Sequence, residues 1–330
     1  MSELAVAAFA AEAGSHLLET PHTPRFASFL GSFDERAYLE RLAAAGLRWI
    51  ARSDARFPRR LSTIHDPPPG IFVRGSADLG LLERPAVAIV GARACSPYGS
   101  KVAQDLGRAL TAAGVLVISG LARGVDAAAH RGALEAGETV AVLGCGVDRD
   151  YPRAHAQLAA RIADGGLILA EYPPGVEPAP WRFPARNRIV AGLAEATIVV
   201  EARQRSGALI TADLALDEGR EVMAVPGEIT SSLSDGTNAL LRLGATPVTS
   251  AADVLEALCI DPPPPPTASP AAVEPRLTFV HAAVIEMPAS IDQLVQRTGL
   301  GAGHVAAALA ELELLGLVAE AEGLYRGVMR

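Results

Sequence analysis

The stretch FPARNR at residues 183–188 sets two arginines around an asparagine, directly after an aromatic ring and a proline. Guanidinium groups bind phosphates through forked hydrogen bonds, and an aromatic ring offers a flat face on which a base can stack. The chain as a whole is acidic, with a formal net charge of -8. Arg186 and Arg188 are therefore candidates for holding an anion locally, with Phe183 as a stacking surface beside them.

A helix must position these side chains. Pro184 suits the first turn of a helix, which predicts a helix over Ala185–Glu195. At about 100° per residue, Arg186 shares the sheet-facing stripe with Val190 and points over the mouth of the underlying sheet. Arg188 falls on the opposite side, where it would face solvent or a subunit contact.

For both the arginine Arg186 and the aromatic residue Phe183, a structural role is an alternative to ligand binding. A cation at a helix start costs about 0.3–1 kcal/mol, and a bound anion would reverse that sign. An ion pair of Arg186 with Glu171 or Glu201 would explain the same residue without a ligand. Phe183 is either a platform for a base or a packing contact against the helix start.

The sheet is indicated by six apolar runs rich in β-branched residues, separated by alanine-rich helical segments. Near-continuous hydrophobic strands alternating with helices predict an α/β fold, a doubly wound, mostly parallel, Rossmann-like sheet. The runs are VAIV (87–90), VLVIS (115–119), TVAVL (139–143), LILAE (167–171), TIVVE (197–201) and EVMAV (221–225).

The loops after these strands carry glycines and polar residues, and ligands of such sheets bind beyond the carboxyl ends of the strands. Glycines and helix starts let backbone N–H groups approach an anion, although ordinary tight turns with helix caps explain each loop singly. Arg93 has no acidic residue within five positions, which favours a ligand role. The other loop candidates are Gly91, Ser119, Gly120, Arg123, Ser206 and Gly207.

Four segments are predicted along the chain. Residues 1–50 form a small N-terminal helical region, residues 51–260 the α/β domain, residues 261–274 a proline-rich linker and residues 275–330 a winged helix. From Arg276 to Arg330 four arginines stand against six carboxylates. Because groove binding needs several phosphate contacts, this acidic module is expected to contact protein or to act in autoinhibition, with DNA binding as the lesser alternative.

Several kinds of chemistry are not indicated. The three cysteines form no CxxC pair, and there is no Walker loop, HExxH motif or cluster of metal ligands. His130 and His155 fall in predicted helices, where a surface or capping role is expected, and Asp126 is explained by the helix dipole. We therefore predict no catalytic residue, metal or cofactor. The N-terminus has no basic leader and no long apolar run, which predicts a cytoplasmic protein without membrane insertion.

Many motifs in order over about residues 50–260 resemble the DNA-processing protein A family, also called Smf. They are GARACSPYG (91–99), SGLARGVDAAAH (119–130), EYPPG (171–175), FPARNRIVAGLA (183–194), VVEARQRSGALITADLALDEGR (199–220), VPG (225–227) and GTNALLRLGA (236–245). The resemblance implies a non-enzymatic protein of natural transformation. Such a protein binds incoming single-stranded DNA, forms a homodimer and helps load the RecA recombinase.

The resemblance also implies which residues bind the strand. By motif, these are Arg93, Phe183, Arg186, Asn187 and Arg188, with Gly91, Ser119, Gly120, Arg123, Ser206 and Gly207 as neighbours that contact it through their backbone. Many relatives carry a lysine shortly before the FP dipeptide, whereas this chain has Ala179 and Pro180 there. Arg182 could substitute, or the strand would bind more weakly.

Two rival functions remain. The same architecture supports nucleotide-processing hydrolases of the lysine-decarboxylase-like type, which carry a PGGxGT run. Here the corresponding stretch is VPGEITSSLSDGTN (225–238), without the paired glycines. A transcription regulator is suggested by the winged helix alone, and the acidic balance of that module argues against it.

Overall fold

The computed structural model describes residues 2–13, 23–261, 275–315, 317–321 and 323–327. The chain divides into two compact units, residues 1–262 and residues 263–330. Apart from residue 261, the expected proline-rich linker at 261–274 lies outside the described residues. None of the helices in these ranges is long and apolar enough to cross a membrane.

The first unit contains a sheet of nine strands in the order β1-β2-β6-β5-β4-β3-β7-β8-β9. The strands from β6 to β9 in this order run parallel, and β1 and β2 add an antiparallel edge. The bounds are β1 Leu47–Ala51, β2 Gly70–Arg74, β3 Ala86–Val90, β4 Leu116–Ser119, β5 Thr139–Leu143, β6 Leu167–Ala170, β7 Ala196–Val199, β8 Glu221–Ala224 and β9 Thr246–Pro247.

Helices cover both faces of this sheet, so the predicted doubly wound fold is confirmed. Side chains alternate along β3, where Ala88 and Val90 pack with α8 and α9 while Val87 and Ile89 pack with α5 and α6. The helices are α1 Glu3–Ala13, α2 Pro24–Ser32, α3 Glu35–Ala44, α4 Arg59–Ser62, α5 Pro97–Ala112, α6 Val125–Ala133, α7 Ala156–Gly165, α8 Arg182–Leu193, α9 Gly207–Asp217, α10 Asp235–Arg242 and α11 Ala251–Ala257, with short 3-10 helices at Leu79–Glu83 and Arg153–His155.

The N-terminal region differs from the expectation at its end. Residues 47–50 were expected to be helical and instead belong to β1, which pairs with β2 and packs Trp49 against Phe72 with ring centroids 4.5 Å apart. Gly46 has φ +69, a left-handed conformation that favours glycine. It forms the turn that ends α3 and leads into β1. The N-terminal helices are thus joined to the main sheet by a strand of their own.

The second unit has the winged-helix order that the sequence predicted. Its elements are α12 Pro275–Glu286, α13 Ile291–Thr298, α14 Ala302–Leu314, β10 Val318–Ala321 and β11 Leu324–Gly327. Ser290 and Gln293 form a capping box at the start of α13, and the unit has a small core of its own around Val280, Leu294 and Leu309.

Candidate functional site

Two adjoining clefts open at the carboxyl edge of the parallel sheet. The chain crosses from one half of the sheet to the other between β3 and β7, the point where such folds bind ligands. The large cleft has a volume of about 1130 Å³ and the small cleft about 280 Å³. Both are lined by Arg93, Gly120, Ala122, Phe183 and Arg186, so they form one continuous depression.

Helix α8 begins at Arg182, three residues earlier than predicted, and presents Arg186 to the sheet as expected. Arg186 is only 5% exposed, and its guanidinium is bound to main-chain carbonyls. It donates to the carbonyl of Gly120 at 2.8 Å and to the carbonyl of Val142, at the ends of β4 and β5. The ion pair with Glu171 or Glu201 is not formed. Arg186 therefore ties the start of the helix to two adjacent strands while part of it lines both clefts.

Burial has an electrostatic consequence for this arginine. It lowers the pKa of Arg186, and the nearby Asp126 carboxylate acts in the opposite direction. Burial likewise raises the pKa of Asp126, which accepts hydrogen bonds from the backbone N–H groups of Gly120 at 3.1 Å and Ala122 at 3.3 Å. The loop after β4 is thus held between a cation and an anion.

Gly120 has a steric role in this arrangement. A Cβ atom there would lie 2.4 Å from Nη2 of Arg186, well inside van der Waals contact. Gly91 is restricted in the same way, because its Cβ would lie 2.6 Å from the side chain of Val125. Both glycines are explained by close packing around the clefts.

The expectation that Arg188 faces solvent or a subunit contact is wrong. Arg188 is 8% exposed and lines neither cleft. It donates to Glu171 at 2.9 Å and to Asp66 at 2.8 Å. Arg188 does lie on the side of α8 that faces away from the sheet, but α4 and the segment after it cover that side, where Ile64 packs against Gly192.

Phe183 lies at the rim shared by the two clefts, half-buried. Its ring stacks on Tyr151 with centroids 5.4 Å apart and an interplanar angle of 23°. The guanidinium of Arg93 lies 5.4 Å from the Phe183 centroid. The three side chains form a cation–aromatic stack that is open to the large cleft, since Tyr151 and Arg93 are both exposed.

The large cleft is lined by five arginines, Arg93, Arg123, Arg149, Arg153 and Arg186, and by three acidic residues, Asp148, Asp150 and Glu177. Asp150 is paired with Arg74, which lies outside the lining. Arg149 is paired with Asp148 and Glu177. Among the residues that the structure describes, no carboxylate is within ion-pair distance of the exposed Arg93, Arg123 and Arg153. The cleft therefore presents three unneutralised guanidinium groups in an acidic protein.

Three residues that line the large cleft were not among the candidates predicted from the sequence. Arg149, Tyr151 and Arg153 lie in the segment VDRDYPR after the third parallel strand. Their position beyond the carboxyl end of β5 could have identified them, because ligands of such sheets bind at the loops that follow the parallel strands.

The remaining predicted site residues divide between the clefts and the core. Ser206 and Gly207 line the small cleft at the start of α9, and the Asn187 amide donates to the carbonyl of Gly207 at 3.3 Å. Ser119 is buried and donates to the carbonyl of Ile89, so it lines neither cleft.

The side chain of Arg182 makes its contacts outside the two clefts. Its guanidinium lies 5.0 Å from the ring centroids of both Tyr172 and Trp181, and it donates to the carbonyl of Glu177. It lines neither cleft. Within the described residues, no group of three or more His, Cys, Asp or Glu side chains could hold a metal ion.

The surface or capping role expected for the side chains of His130 and His155 is wrong. Both side chains are buried, and His155, although it stands at the start of α7, makes no capping hydrogen bond with its side chain. His130 lies 2.9 Å from the Thr139 hydroxyl, and a ring nitrogen of His155 lies 3.0 Å from the carbonyl of Leu121. Burial, reinforced by the charges of Arg186 and His155, lowers the pKa of His130 to about 3. His130 is therefore neutral in the folded protein, beneath the loop that lines the clefts.

Comparisons with known proteins match both units. The family model described as DNA recombination-mediator protein A matches residues 48–259, and the DprA winged helix domain matches residues 261–323. A putative DNA processing protein DprA of Mycobacterium tuberculosis is 41% identical over 306 residues, 87% of this chain and 79% of that protein.

Two solved structures are similar as well. DNA processing protein A from Streptococcus pneumoniae matches with a TM-score of 0.66 and 38% identity, over 77% of this chain and 92% of that one. DNA processing protein A from Helicobacter pylori, whose structure is described for its single-stranded DNA binding mode, matches with a TM-score of 0.59 and 32% identity, over 64% of this chain and 95% of that one.

The buried neutral His130 predicts a pH-dependent stability. Its folded pKa is depressed to about 3, so the unfolded chain binds the extra proton and the contribution of His130 to stability falls as the pH drops below about 6.5. Between pH 7 and pH 5 the wild type should lose about 2 kcal/mol of unfolding free energy more than a His130→Gln variant. Urea unfolding at both pH values measures this, and parallel losses in the two proteins would contradict it.

Proposed function

Because the chain belongs to the DNA recombination-mediator protein A family, we propose that its two clefts bind single-stranded DNA and catalyse no reaction on it. The observation that carries this proposal is the stack of Arg93 on Phe183 at the rim between the clefts. Cations that follow the phosphates, combined with a ring on which bases stack, are the features of proteins that bind single strands.

The distribution of charge supports a strand rather than a small ligand. Arg93, Arg123 and Arg153 are exposed and form no ion pair within the described residues, along a cleft of about 1130 Å³, a volume larger than one nucleotide needs. Base stacking requires an unpaired base whose face is free, which a duplex does not offer along its length. The similar H. pylori protein is described as binding single-stranded DNA, consistent with this choice.

Arg186 has a positioning role in the proposal. Most of its donors are used by the carbonyls of Gly120 and Val142 and by the side chain of Asn187. It holds Phe183 one helical turn away at the rim, and its residual charge faces both clefts. The direct phosphate contacts are assigned to the exposed arginines, of which Arg93 and Arg123 were candidates from the sequence.

The cellular role that we propose is the protection of incoming single-stranded DNA in the cytoplasm during natural transformation, followed by loading of the RecA recombinase. Protein contacts are assigned to the winged-helix unit, because it exposes Phe279 and Ile285 and has few cations. Large exposed apolar side chains are more typical of a surface that contacts protein than of a DNA groove contact.

A homodimer is also proposed, through the end of the sheet that carries β9. Leu216 at the end of α9 and Leu243 after α10 are exposed, and both helices flank β8 next to the edge strand β9. An exposed sheet edge with large apolar side chains beside it is a surface that a second copy would cover.

Arg93→Ala should weaken binding of single strands regardless of sequence and should lower the salt slope of the binding constant by about 0.7, as expected for one lost phosphate contact. Phe183→Leu should lose about 1–3 kcal/mol with an unchanged slope, because stacking involves no counterion release. Fluorescence anisotropy over a salt series measures both. Arg56→Ala is the matched control, since Arg56 is exposed and paired with Asp54. Wild-type affinity and slope in Arg93→Ala would rule out the cleft as the binding site.

The protein should shorten the delay before RecA assembles on single-stranded DNA, measured by the ATPase activity of RecA. Phe279→Asp should remove this stimulation while leaving DNA affinity unchanged, because Phe279 lies in the winged-helix unit. An unchanged delay with the wild-type protein would contradict the loading role.

Leu243→Glu should raise the dimer dissociation constant about tenfold or more, because it would bury an unpaired charge at the interface. Leu243 is 85% exposed. Leu314→Glu, at an 89% exposed position in the winged-helix unit, is the control. Sedimentation velocity across a concentration series measures the change, and equal behaviour of the two variants would place the dimer contact elsewhere.

A further inference from the structure

A separate pocket of about 660 Å³ lies among the N-terminal helices α1, α2 and α3. Its lining is aromatic and cationic, with Phe29, Phe33 and Tyr38 beside Arg25 and Arg41. The sequence analysis assigned no role to this region, and the proposed function uses none of these residues.

The rings of this pocket form a continuous series. Phe29 and Phe33 have centroids 5.1 Å apart, and Phe33 and Tyr38 have centroids 5.5 Å apart. The guanidinium of Arg41 lies 5.3 Å from the Tyr38 centroid. The three rings are only half-buried, so packing of the core does not use all of their surface.

The pocket is positively charged. Arg25 and Arg41 are exposed, and within the described residues no carboxylate lies at ion-pair distance from either. The acidic lining residue Asp34 caps α3 by accepting a hydrogen bond from the N–H group of Ala37 at 2.9 Å. The two guanidinium groups are thus available to an anion.

The topology places this pocket at the same edge of the sheet as the clefts. Leu47 at the start of β1 pairs with Arg74 at the end of β2, which pairs with Ile168 near the start of β6. Leu47 is therefore at the amino edge of the parallel strands. Helix α3 precedes it by a two-residue turn and packs on β1, so the start of α3 points to the carboxyl edge.

Tyr38 connects the pocket to the large cleft. It packs against the core cluster that contains Cys145 and Val147. Burial raises the pKa of Tyr38, Arg41 lowers it, and the charge of Asp148 raises it again. Because Cys145 and Asp148 also line the large cleft, the loop after β5 separates the two cavities by the thickness of a few residues.

We propose that this N-terminal pocket is a second contact site for the same single strand, which leaves the large cleft across the loop after β5 and meets the rings and arginines of α2 and α3. The inference rests on the proposed function of the clefts. The pocket repeats the combination of that site, unpaired arginines beside partly exposed rings, and lies at the same edge of the sheet. A strand long enough to span both sites gains the extra contacts, whereas a short one does not.

The test compares two oligothymidines of about 5 and about 20 nucleotides, the first within and the second beyond the usual site size of one binding module. The Arg25→Ala/Arg41→Ala double variant of the full chain should bind the short oligomer as the wild type does. It should bind the long oligomer at least about fivefold more weakly, with a salt slope smaller by about 1.4 for two lost phosphate contacts. Anisotropy titrations measure both quantities.

Arg36→Ala is the matched control, because Arg36 is exposed on α3 but paired with Glu40 and absent from the pocket lining. It should change neither oligomer. Thermal unfolding verifies that the double variant is folded, as expected because both side chains are exposed and form no ion pair within the described residues. Tyr38→Leu, which keeps the charges, should weaken only the long oligomer and leave the slope unchanged.

The outcomes separate the two proposals. If the wild type binds both oligomers and the double variant binds them as well as the wild type does, the N-terminal pocket is not a strand contact and the cleft proposal stands. If the double variant loses affinity for both oligomers equally, the pocket is not a second site reached only by long strands, and this inference is overturned. If the wild type binds neither oligomer, the proposed function fails and this inference fails with it.

Discussion

The hydrogen bonds from the buried Arg186 guanidinium to the carbonyls of Gly120 and Val142 are the constraint on which the candidate site depends. A buried guanidinium is tolerated only where its donors are satisfied, and leaving it unpaired costs several kcal/mol. The strand ends supply the acceptors, and Gly120 supplies the space because it has no side chain. The start of α8 is fixed by this contact, and with it the ring of Phe183 at the rim.

The arginines of this region divide by burial into two roles. Arg186 and Arg188 are buried and donate hydrogen bonds to carbonyls and carboxylates of the same chain. These contacts hold α8 in place and leave little of either guanidinium available to a ligand. Arg93, Arg123 and Arg153 are exposed and unpaired among the described residues. The net charge of -8 does not oppose local anion binding strongly, because charges more than about 8 Å away are screened at physiological salt.

The sequence was sufficient for the parts of the fold that follow from local pattern. Six of the seven parallel strands, the sheet-facing direction of Arg186 and the order of the winged helix all follow from periodicity and composition. The burial of Arg188 did not follow, because it depends on what packs on the outer side of α8. That is the segment around Ile64, more than one hundred residues away in sequence. The burial of His130 did not follow either, because α6 turns this side chain toward Thr139 of β5.

The candidate site, too, could be predicted from the sequence only in part. The loop glycines and Arg93 were found because position beyond a parallel strand is visible in the sequence. The stack of Tyr151 on Phe183 and the N-terminal pocket depend on contacts between distant segments, which one sequence without relatives does not reveal. The chain fold brings Phe33, Tyr38 and the loop after β5 into one cluster, although more than one hundred residues separate them.

The chemistry of the clefts sets what kind of selectivity they can have. Base-specific recognition requires side chains that match the donors and acceptors of a base edge, such as paired amide groups. The Asn187 amide, which could do so, donates to the carbonyl of Gly207 and accepts from Arg186. The available groups are guanidiniums and ring faces, which recognise the phosphate and the flat base that every nucleotide shares. A strand bound here would be held by its backbone and by stacking, with little dependence on its sequence.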